Sequence, residues 1–376
     1  MNVLLIRAGA MDPSVNKTAI SLSRMGLNVK LLVWDRQNTI KNEKVCNYSI
    51  SRFKLNAPYN KYIIILYLPF WWLYELYFLL REDYDIVHAC DLDTLLPAIL
   101  AKYIKKFRLC YTIYDFYALN FSDGQPTLMK KLIEIITAIL EKKGIGVVDA
   151  LFLVNECRYN DVKGAKIKSI TYIYNTPYDY YNKINKSMPI KTHELNIFYA
   201  GLLLKTRGVE DIITSIDGID GVKLILAGDC PEKELMKKIV LGSDKIEYIG
   251  VIPYDEVIRM TFNSDLLFRF SDPNINETKC ASPNKLYEAM MCGRPIIVSD
   301  DSSMADIVRK DNCGIVVKYG DIAAIRNAII RLKEDLSYRK FLGTNARIAY
   351  ETKYSWDIME RRLCQTYMKL MNSNKD

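Results

Sequence analysis

Short apolar runs alternate with helix-like patterns along the first half of the chain. Val3–Ile6 is a continuous apolar run, a loop with Gly9 follows it, and the next stretch carries an apolar stripe at Val15, Ala19 and Leu22. Continuous runs are typical of parallel strands covered on both faces. Further strands are predicted at Val29–Trp34, Asp85–His88, Leu109–Ile113 and Ala150–Val154. The alternation predicts an α/β domain with a doubly wound parallel sheet.

A polar connector separates this half from a second half with the same pattern. Asn, Pro and Ser are frequent between Tyr174 and Glu194, which is typical of a link between domains. Strands then resume at Ile197–Ala200, Leu224–Ala227, Ile246–Ile249, Leu266–Phe268 and Ile296–Val298. The sequence therefore predicts two Rossmann-like domains, residues 1–180 and 190–352, and a helical segment over 353–376.

The charge balance favours anionic ligands without indicating nucleic acid. The formal net charge of the 376 residues is +8, and basic and acidic residues are interspersed. A mild basic excess suits phosphate-bearing ligands or an anionic membrane surface. No predicted helix carries a dense basic stripe, so we expect no nucleic-acid partner.

Cysteine and histidine usage argues against a metal centre. The nine cysteines are scattered singly, without a CxxC pair, and the chain has only two histidines, His88 and His193. We therefore expect no metal. An odd cysteine count without a disulfide framework is typical of a reduced, cytoplasmic protein. The N-terminal MNVLLIRAGA also lacks the features of a signal peptide.

Residues 62–80, YIIILYLPFWWLYELYFLL, are almost wholly apolar. Their number approaches that of a membrane span, but Pro69 and Glu75 interrupt the run and Arg81 follows at once. Three interpretations stay open: a buried helix, a surface helix whose aromatic residues enter a bilayer interface, and a transmembrane helix. The second would give the protein a peripheral contact with the cytosolic membrane face through residues 62–80.

The stretch 281–300, ASPNKLYEAMMCGRPIIVSD, predicts a short helix with sharp ends. Ser282 suits the N-cap and Pro283 the first helical position. Gly293 stands where a left-handed glycine normally ends a helix, and Pro295 prevents continuation. We expect the helix N-terminus at the carboxyl edge of the sheet, where ligands bind in open α/β folds.

The first turns of this helix carry residues suited to a nucleoside diphosphate. Unpaired N–H groups and the helix dipole favour phosphate at a helix N-terminus, and Lys285 adds a full charge. Glu288, one turn on, is placed to accept hydrogen bonds from ribose hydroxyls. The alternative is an ordinary capped helix with a solvated lysine and glutamate.

Several motifs in order carry a resemblance to a known family. The C-terminal half contains Tyr199-Ala-Gly201, Lys205-Thr-Arg207-Gly208, Leu226-Ala-Gly228, Ser282-Pro-Asn-Lys-Leu-Tyr-Glu288, Gly293-Arg-Pro295, Asn312-Cys-Gly314 and Tyr354-Ser-Trp356. The N-terminal half contains Asp85-Ile-Val-His88 and Tyr114-Asp115-Phe-Tyr117. In order and spacing the chain resembles the group 1 glycosyltransferases of the glycosyltransferase family 4 type, over nearly its whole length.

The resemblance implies a GT-B fold, in which two Rossmann-like domains face a cleft and the last helix crosses back to the N-terminal domain. It implies that the C-terminal domain binds a nucleotide-sugar donor and the N-terminal domain the acceptor. Arg207 and Lys285 would contact the donor diphosphate, and Glu288 the ribose. The full set that the resemblance assigns to the donor is Gly9, Gly201, Arg207, Ser282, Asn284, Lys285 and Glu288.

Three positions depart from the pattern of that family. A first glutamate normally lies eight positions before the ribose-binding one, and Cys280 stands there. A basic residue normally follows the glycine of the first loop of the C-terminal domain, and Leu202 stands there. The third lies in the N-terminal half, where the family commonly has His-x-His after a strand and this chain has His88-Ala-Cys90.

Two polar residues near strand ends of the N-terminal half are further catalytic candidates. His88 ends a predicted strand, so it either faces the ligand or packs as a core histidine. Asp115 follows the strand Leu109–Ile113, where a carboxylate could bind the acceptor hydroxyl or act as a base.

The function implied by the resemblance is hexosyl transfer from a nucleoside-diphosphate sugar, with UDP or GDP as the nucleotide and no other cofactor. We expect it to be retaining and metal-independent, and to act in surface-glycan assembly or protein glycosylation. The acceptor would be a glycan or a polyprenyl-linked sugar. The alternatives are another GT-B activity, such as a sugar-nucleotide epimerase, and a non-catalytic scaffold. A dinucleotide oxidoreductase is disfavoured because the first loop lacks GxGxxG.

Overall fold

The computed structural model describes residues 1–9, 12–38, 44–45, 47–58, 63–121, 128–184, 194–241, 243–275 and 279–372. The chain forms two compact units, one of Met1–Tyr174 with Met359–Asp376 and one of Asn175–Ile358. It therefore enters the second unit at the polar connector and leaves it inside the last helix.

The N-terminal unit is built on an eight-stranded sheet whose order is β3-β4-β2-β1-β5-β6-β7-β8. All neighbouring strands are parallel except the short edge strand β3, which pairs antiparallel with β4. The strands are β1 Asn2–Arg7, β2 Asn28–Trp34, β3 Lys44–Val45, β4 Tyr48–Phe53, β5 Ile86–Cys90, β6 Arg108–Ile113, β7 Ala150–Leu153 and β8 Ile170–Tyr172. Both faces of the sheet are buried, which explains why most of its strands are continuous apolar runs.

Helices cover the two faces of this sheet. The helices of the first part of the chain are α1 Pro13–Arg24, α2 Leu68–Arg81, α3 Leu92–Ile104, α4 Leu128–Ile145 and α5 Tyr159–Val162. Short 3₁₀ turns lie at Ile63–Leu66, Tyr117–Phe121 and Glu156–Arg158. One core, around Trp34, Trp71 and Tyr111, lies under α2, α3 and α4. The other, around Val3 and Leu22, also takes up Tyr367 from the end of the chain.

The C-terminal unit is built on a six-stranded parallel sheet of order β11-β10-β9-β12-β13-β14. Its strands are β9 Leu195–Ala200, β10 Val222–Ala227, β11 Ile246–Tyr248, β12 Leu266–Arg269, β13 Ile296–Ser299 and β14 Gly314–Val317. The remaining helices are α6 Tyr181–Ile184, α7 Val209–Ile216, α8 Lys233–Val240, α9 Tyr254–Asn263, α10 Asn284–Met291, α11 Ser303–Asp311, α12 Ile322–Glu334, α13 Leu336–Ala349 and α14 Trp356–Asn372. A 3₁₀ turn lies at Lys205–Arg207 and a π-helical turn at Tyr350–Tyr354. The predicted pair of doubly wound Rossmann-like sheets is confirmed.

The apolar segment predicted over 62–80 is divided into the 3₁₀ turn Ile63–Leu66 and helix α2; residue 62 lies outside the described residues. Pro69 stands in the first turn of α2, where its missing N–H costs no hydrogen bond. Trp71, Glu75 and Leu79 form the buried stripe of α2. None of the helices in the described ranges has the length and hydropathy of a membrane span.

Candidate functional site

The C-terminal sheet reverses its strand order between β9 and β12. From β9 the chain proceeds to β10 and β11 on one side, and β12, β13 and β14 lie on the other. Loops that leave two such strands diverge, and they open a crevice at the carboxyl edge where α/β proteins bind ligands. The loops after β9 and β12 therefore hold the candidate site of this unit.

Arg207 is held in the loop after β9 by the 3₁₀ turn Lys205–Arg207, which ends at Gly208 with a φ of 74°. A Cβ at Gly208 would lie 2.1 Å from the Phe270 ring, so only glycine lets this turn approach the residue after β12. The Arg207 guanidinium donates to the Leu202 carbonyl oxygen, at 3.5 Å. No carboxylate of the described residues pairs with it.

Arg269, the last residue of β12, was missed by the sequence analysis. Its side chain is buried, with the residue 6% exposed, and its Nη1 donates to the Phe270 carbonyl oxygen. Burial lowers the pKa of Arg269 to about 10, and the nearby positive charge of Arg207 contributes to that lowering. Within the described ranges no carboxylate pairs with Arg269. The site thus holds two neighbouring cations without a counter-charge, which favours an anionic ligand.

Helix α10 begins one residue later than predicted. Pro283, with extended φ and ψ, is its N-cap, and no side chain caps the helix. The expectation that Ser282 is the N-cap is therefore wrong: its Oγ accepts from the Asn175 N–H and donates to the Tyr287 hydroxyl, each at 3.4 Å. Gly293 has a φ of 64° directly after the last turn, as predicted.

Lys285 and Glu288 pair with each other across one turn of α10. Lys285 Nζ lies 2.6 Å from Glu288 Oε2, and Glu288 is 1% exposed. Glu288 Oε1 and Asn284 Oδ1 are buried without a hydrogen-bond partner among the described residues. The Tyr254 hydroxyl lies beside Glu288, and its pKa is raised by burial and then by the carboxylate charge. The pairing removes Lys285 as a free cation and leaves Glu288 Oε1 as a buried acceptor.

Gly201 and Gly9 follow the first strands of their units. Gly201 has a φ of 149° and lies directly after β9. A Cβ at Gly9 would meet nothing within 4 Å, so open space lies beside the loop after β1.

At the carboxyl edge of the N-terminal sheet, Asp91 joins three strand ends. It forms an ion pair with Arg7, the last residue of β1, and its Oδ1 accepts from the Tyr114 N–H at 2.8 Å and the Asp115 N–H at 3.2 Å. Its φ of 66° is a strained value for a residue with a side chain. Asp91 thereby fixes the turn that carries Asp115.

Asp115 has a mostly accessible carboxylate at that edge. Its side chain is 60% exposed, and Arg158 Nη2 lies 3.7 Å from its Oδ1. The buried Arg158 also bonds Asp161, so it supports the turn without covering Asp115. The position agrees with the predicted location after a strand end.

His88 lies inside β5, which continues to Cys90, so the expectation that it ends a strand is wrong. Its Nδ1 lies 2.7 Å from the Tyr367 hydroxyl, and its Nε2 lies 2.6 Å from Thr112 Oγ1. Burial lowers the pKa of His88 to about 3. The imidazole is therefore neutral, with both nitrogens engaged, and it joins α14 to the sheet.

Comparison with known proteins finds one family model that matches the C-terminal unit. Residues 181–349 match the model of "Glycosyl transferases group 1". This segment, which makes up most of the C-terminal unit, is similar to the group 1 glycosyltransferases. An uncharacterized glycosyltransferase of Methanocaldococcus jannaschii is 23% identical over 60% of this chain and 64% of that protein. The capsular polysaccharide biosynthesis glycosyltransferase CapM of Staphylococcus aureus is 24% identical over 51% of this chain and 52% of its own length.

Solved structures superpose on nearly the whole chain and show its GT-B fold. Sucrose-phosphate synthase from Thermosynechococcus elongatus superposes with a TM-score of 0.80 at 17% identity, covering 99% of this chain and 100% of that one. Anabaena HepE in complex with UDP superposes with a TM-score of 0.71 at 14% identity, covering 98% and 99%. In sequence, however, the chain spans only about half to two-thirds of the length of the curated relatives it matches first.

Proposed function

We propose that this protein transfers a hexosyl group from a nucleoside-diphosphate sugar to a glycan or lipid-linked acceptor in surface-glycan or glycoprotein assembly. The observation that carries the proposal is the pair Arg207 and Arg269 at the point where the strand order reverses. Neither has a carboxylate partner among the described residues, and a diphosphate would supply the missing negative charge.

The two arginines would act on the leaving group. As the bond between the anomeric carbon and the diphosphate breaks, negative charge grows on the phosphate oxygen. Fixed cations in a site from which water is largely excluded stabilise that charge without reorganisation. The uncapped N-terminus of α10 would add backbone N–H donors.

Glu288 and Asp115 would bind hydroxyl groups of the two substrates. The unpartnered Glu288 Oε1 is a buried acceptor for the donor ribose. The exposed Asp115 carboxylate on the N-terminal unit would accept a hydrogen bond from the acceptor hydroxyl and take up its proton. His88 receives no role in this scheme because both of its ring nitrogens are engaged.

Metal independence and retention of the anomeric configuration belong to the proposal as well. Protein cations would provide the charge that Mg²⁺ or Mn²⁺ provides in other transferases, so no divalent ion is required. Retention of the anomeric configuration is proposed from the family resemblance. It is measured as the anomeric coupling constant of the product in NMR. UDP and GDP are the proposed nucleotides; the complex of HepE with UDP supports the first.

Release of free nucleoside diphosphate tests the reaction. The purified protein is incubated with UDP-, GDP- and ADP-sugars, each with and without a membrane lipid extract as acceptor source. Transfer predicts nucleoside diphosphate only when acceptor is present. Release without acceptor would indicate epimerase-type chemistry, and no release under any condition would favour a non-catalytic scaffold.

A further inference from the structure

Helix α4 presents its apolar side to solvent. Its outward apolar positions are exposed, from 87% at Leu128 to 40% at Leu140. The complete set of exposed apolar residues on α4 is Leu128, Met129, Leu132, Ile135, Ile136, Ile139 and Leu140. On the inward side of the helix, Glu141 is fully buried and accepts a hydrogen bond from the Tyr111 hydroxyl at 2.6 Å. A helix packed this way exposes the stripe that a water-soluble protein normally buries.

Two neighbouring helices extend this apolar surface. α2, α3 and α4 cover the same core of the N-terminal sheet, so their outer sides face away from it together. On α2 and the turn before it, Leu66, Phe70, Leu73 and Tyr77 are exposed, and on α3 Leu100, Tyr103 and Ile104 are exposed. A wholly apolar groove of about 580 Å³ lies between α2 and α3, lined by Pro69, Trp72, Leu73, Leu76, Leu96 and Leu100. We call the outer sides of α2, α3 and α4 the apolar face.

Acidic and basic side chains of these three helices differ in their exposure to solvent. Their four acidic residues, Glu75, Asp93, Glu134 and Glu141, are buried or half-buried. Every exposed charge on the three helices is basic: Arg81, Lys131 and Lys143. Exposed lysines beside exposed isoleucines and leucines fit a surface in which apolar side chains meet acyl chains and cations meet anionic headgroups.

We propose that the apolar face is a docking surface for a lipid bilayer that carries anionic headgroups, with the groove between α2 and α3 receiving an acyl chain. A second copy of the chain fits the face less well, because pairing like faces would bring Lys131 and Lys143 of both copies together. The contact would be peripheral, since the apolar residues belong to helices lying on the sheet. Docking is a property of this surface alone and does not depend on the proposed sugar transfer.

Flotation with lipid vesicles tests the proposal. The full chain is mixed, without any nucleotide sugar, with vesicles of phosphatidylcholine alone or of phosphatidylcholine with phosphatidylglycerol. We expect the protein to float with the anionic vesicles. Ile135→Gln with Ile139→Gln should lower the partition coefficient by at least about tenfold, because two apolar side chains leave the acyl region. Lys131→Glu with Lys143→Glu should lower it by about tenfold on anionic vesicles only.

The matched control changes two exposed apolar residues of the C-terminal unit, Val240→Gln with Leu241→Gln, and should leave flotation unchanged. Circular dichroism of each variant checks that it is folded, which we expect because all changed side chains are at the surface. Flotation that is absent in the unchanged protein, or that both α4 variants retain, would overturn the proposal. The proposal would also be overturned if the protein self-associated without vesicles and the double change Ile135→Gln with Ile139→Gln abolished that self-association. The apolar face would then bind a second copy of the chain.

Discussion

At the scale of single residues, the buried Arg269 at the carboxyl edge of the C-terminal sheet is the position where we expect binding to cost stability. Arg269 is a buried cation whose guanidinium contacts a carbonyl oxygen and no carboxylate of the described residues. Such a group costs folding free energy because its desolvation is not compensated. A bound anion would compensate the desolvation of the Arg269 guanidinium.

Arg269→Met should therefore change stability and binding in opposite directions. Methionine keeps much of the volume and removes the charge, so we expect the free energy of unfolding to rise by about 1 kcal/mol. The affinity for nucleoside diphosphates should fall by about 10- to 100-fold, because a charge-assisted bond is lost. Urea unfolding and titration calorimetry measure the two effects, and Arg309→Met, at an exposed arginine of α11, is the control. A large loss of stability with unchanged affinity would make Arg269 a structural residue.

The pKa of His88 gives a test of its structural role. The unfolded chain binds a proton at His88 below about pH 6.5, whereas the folded protein does so only near pH 3. Between these values the unfolded state holds more protons, so stability falls as pH falls, by about 1.4 kcal/mol per unit. From pH 7 to pH 5 this amounts to about 2 kcal/mol.

His88→Gln should remove that part of the pH dependence while lowering stability at pH 7. Urea unfolding of both proteins at pH 7 and pH 5 gives the difference, and nucleoside diphosphate release should persist in the folded variant. An unchanged slope would show that His88 is accessible to protons in the folded state. The sequence could not settle this role, because β5 continues past His88 through Ala89 and Cys90. Those two residues belong to the strand because they pair with β6, and the local sequence does not reveal that pairing.

At the scale of elements, the turn before α7 depends on one glycine packed against β12. Gly208 and Gly320 have the same φ of 74°, but a Cβ would collide with Phe270 only at Gly208 and meets nothing within 4 Å at Gly320. Gly320→Ala should cost about 1 kcal/mol for the left-handed backbone alone. Gly208→Ala should cost about 3 kcal/mol because overpacking adds to it. Equal losses in urea unfolding would contradict the close approach of the turn to Phe270.

The strands that the sequence predicted well are those buried on both faces. β1 and β13 are largely continuous apolar runs. Such runs can be recognised as buried strands from the local sequence alone. β4, YSISRF, was missed because it is only partly buried, and Ser and Arg alternate with its apolar residues. Its assignment depends on pairing with β2, which the local sequence does not reveal.

Helix α4 shows a second limit of prediction. An apolar stripe at helical spacing normally marks the side that packs on the core. In α4 the inner side is formed instead by residues such as Ala138, Glu141 and Gly144, and Glu141 is held there by Tyr111. Only the position of Tyr111 on the sheet shows that the apolar stripe faces outward. The same limit applies to Arg269, whose location at a reversal of strand order is a property of the sheet.

At the scale of the whole molecule, the charge distribution predicts independence from divalent metal. In the proposed site, Arg207 and Arg269 would supply the positive charge that stabilises the leaving diphosphate. Preincubation with EDTA should therefore leave the rate of nucleoside diphosphate formation unchanged, and added Mg²⁺ or Mn²⁺ should not raise it. A strict requirement for either ion would contradict the proposed leaving-group stabilisation.

The most direct test of the central proposal is thermal stabilisation of the purified protein by UDP, GDP and ADP. A ligand at 100 times its dissociation constant stabilises the folded state by about 2.7 kcal/mol, which is a readily measured rise in Tm. We predict a rise with one nucleotide, lost in Arg207→Ala and in Glu288→Ala and retained in Arg309→Ala. No rise with any nucleotide in the folded protein, or an equal rise in all variants, would contradict a donor site at the reversal of strand order.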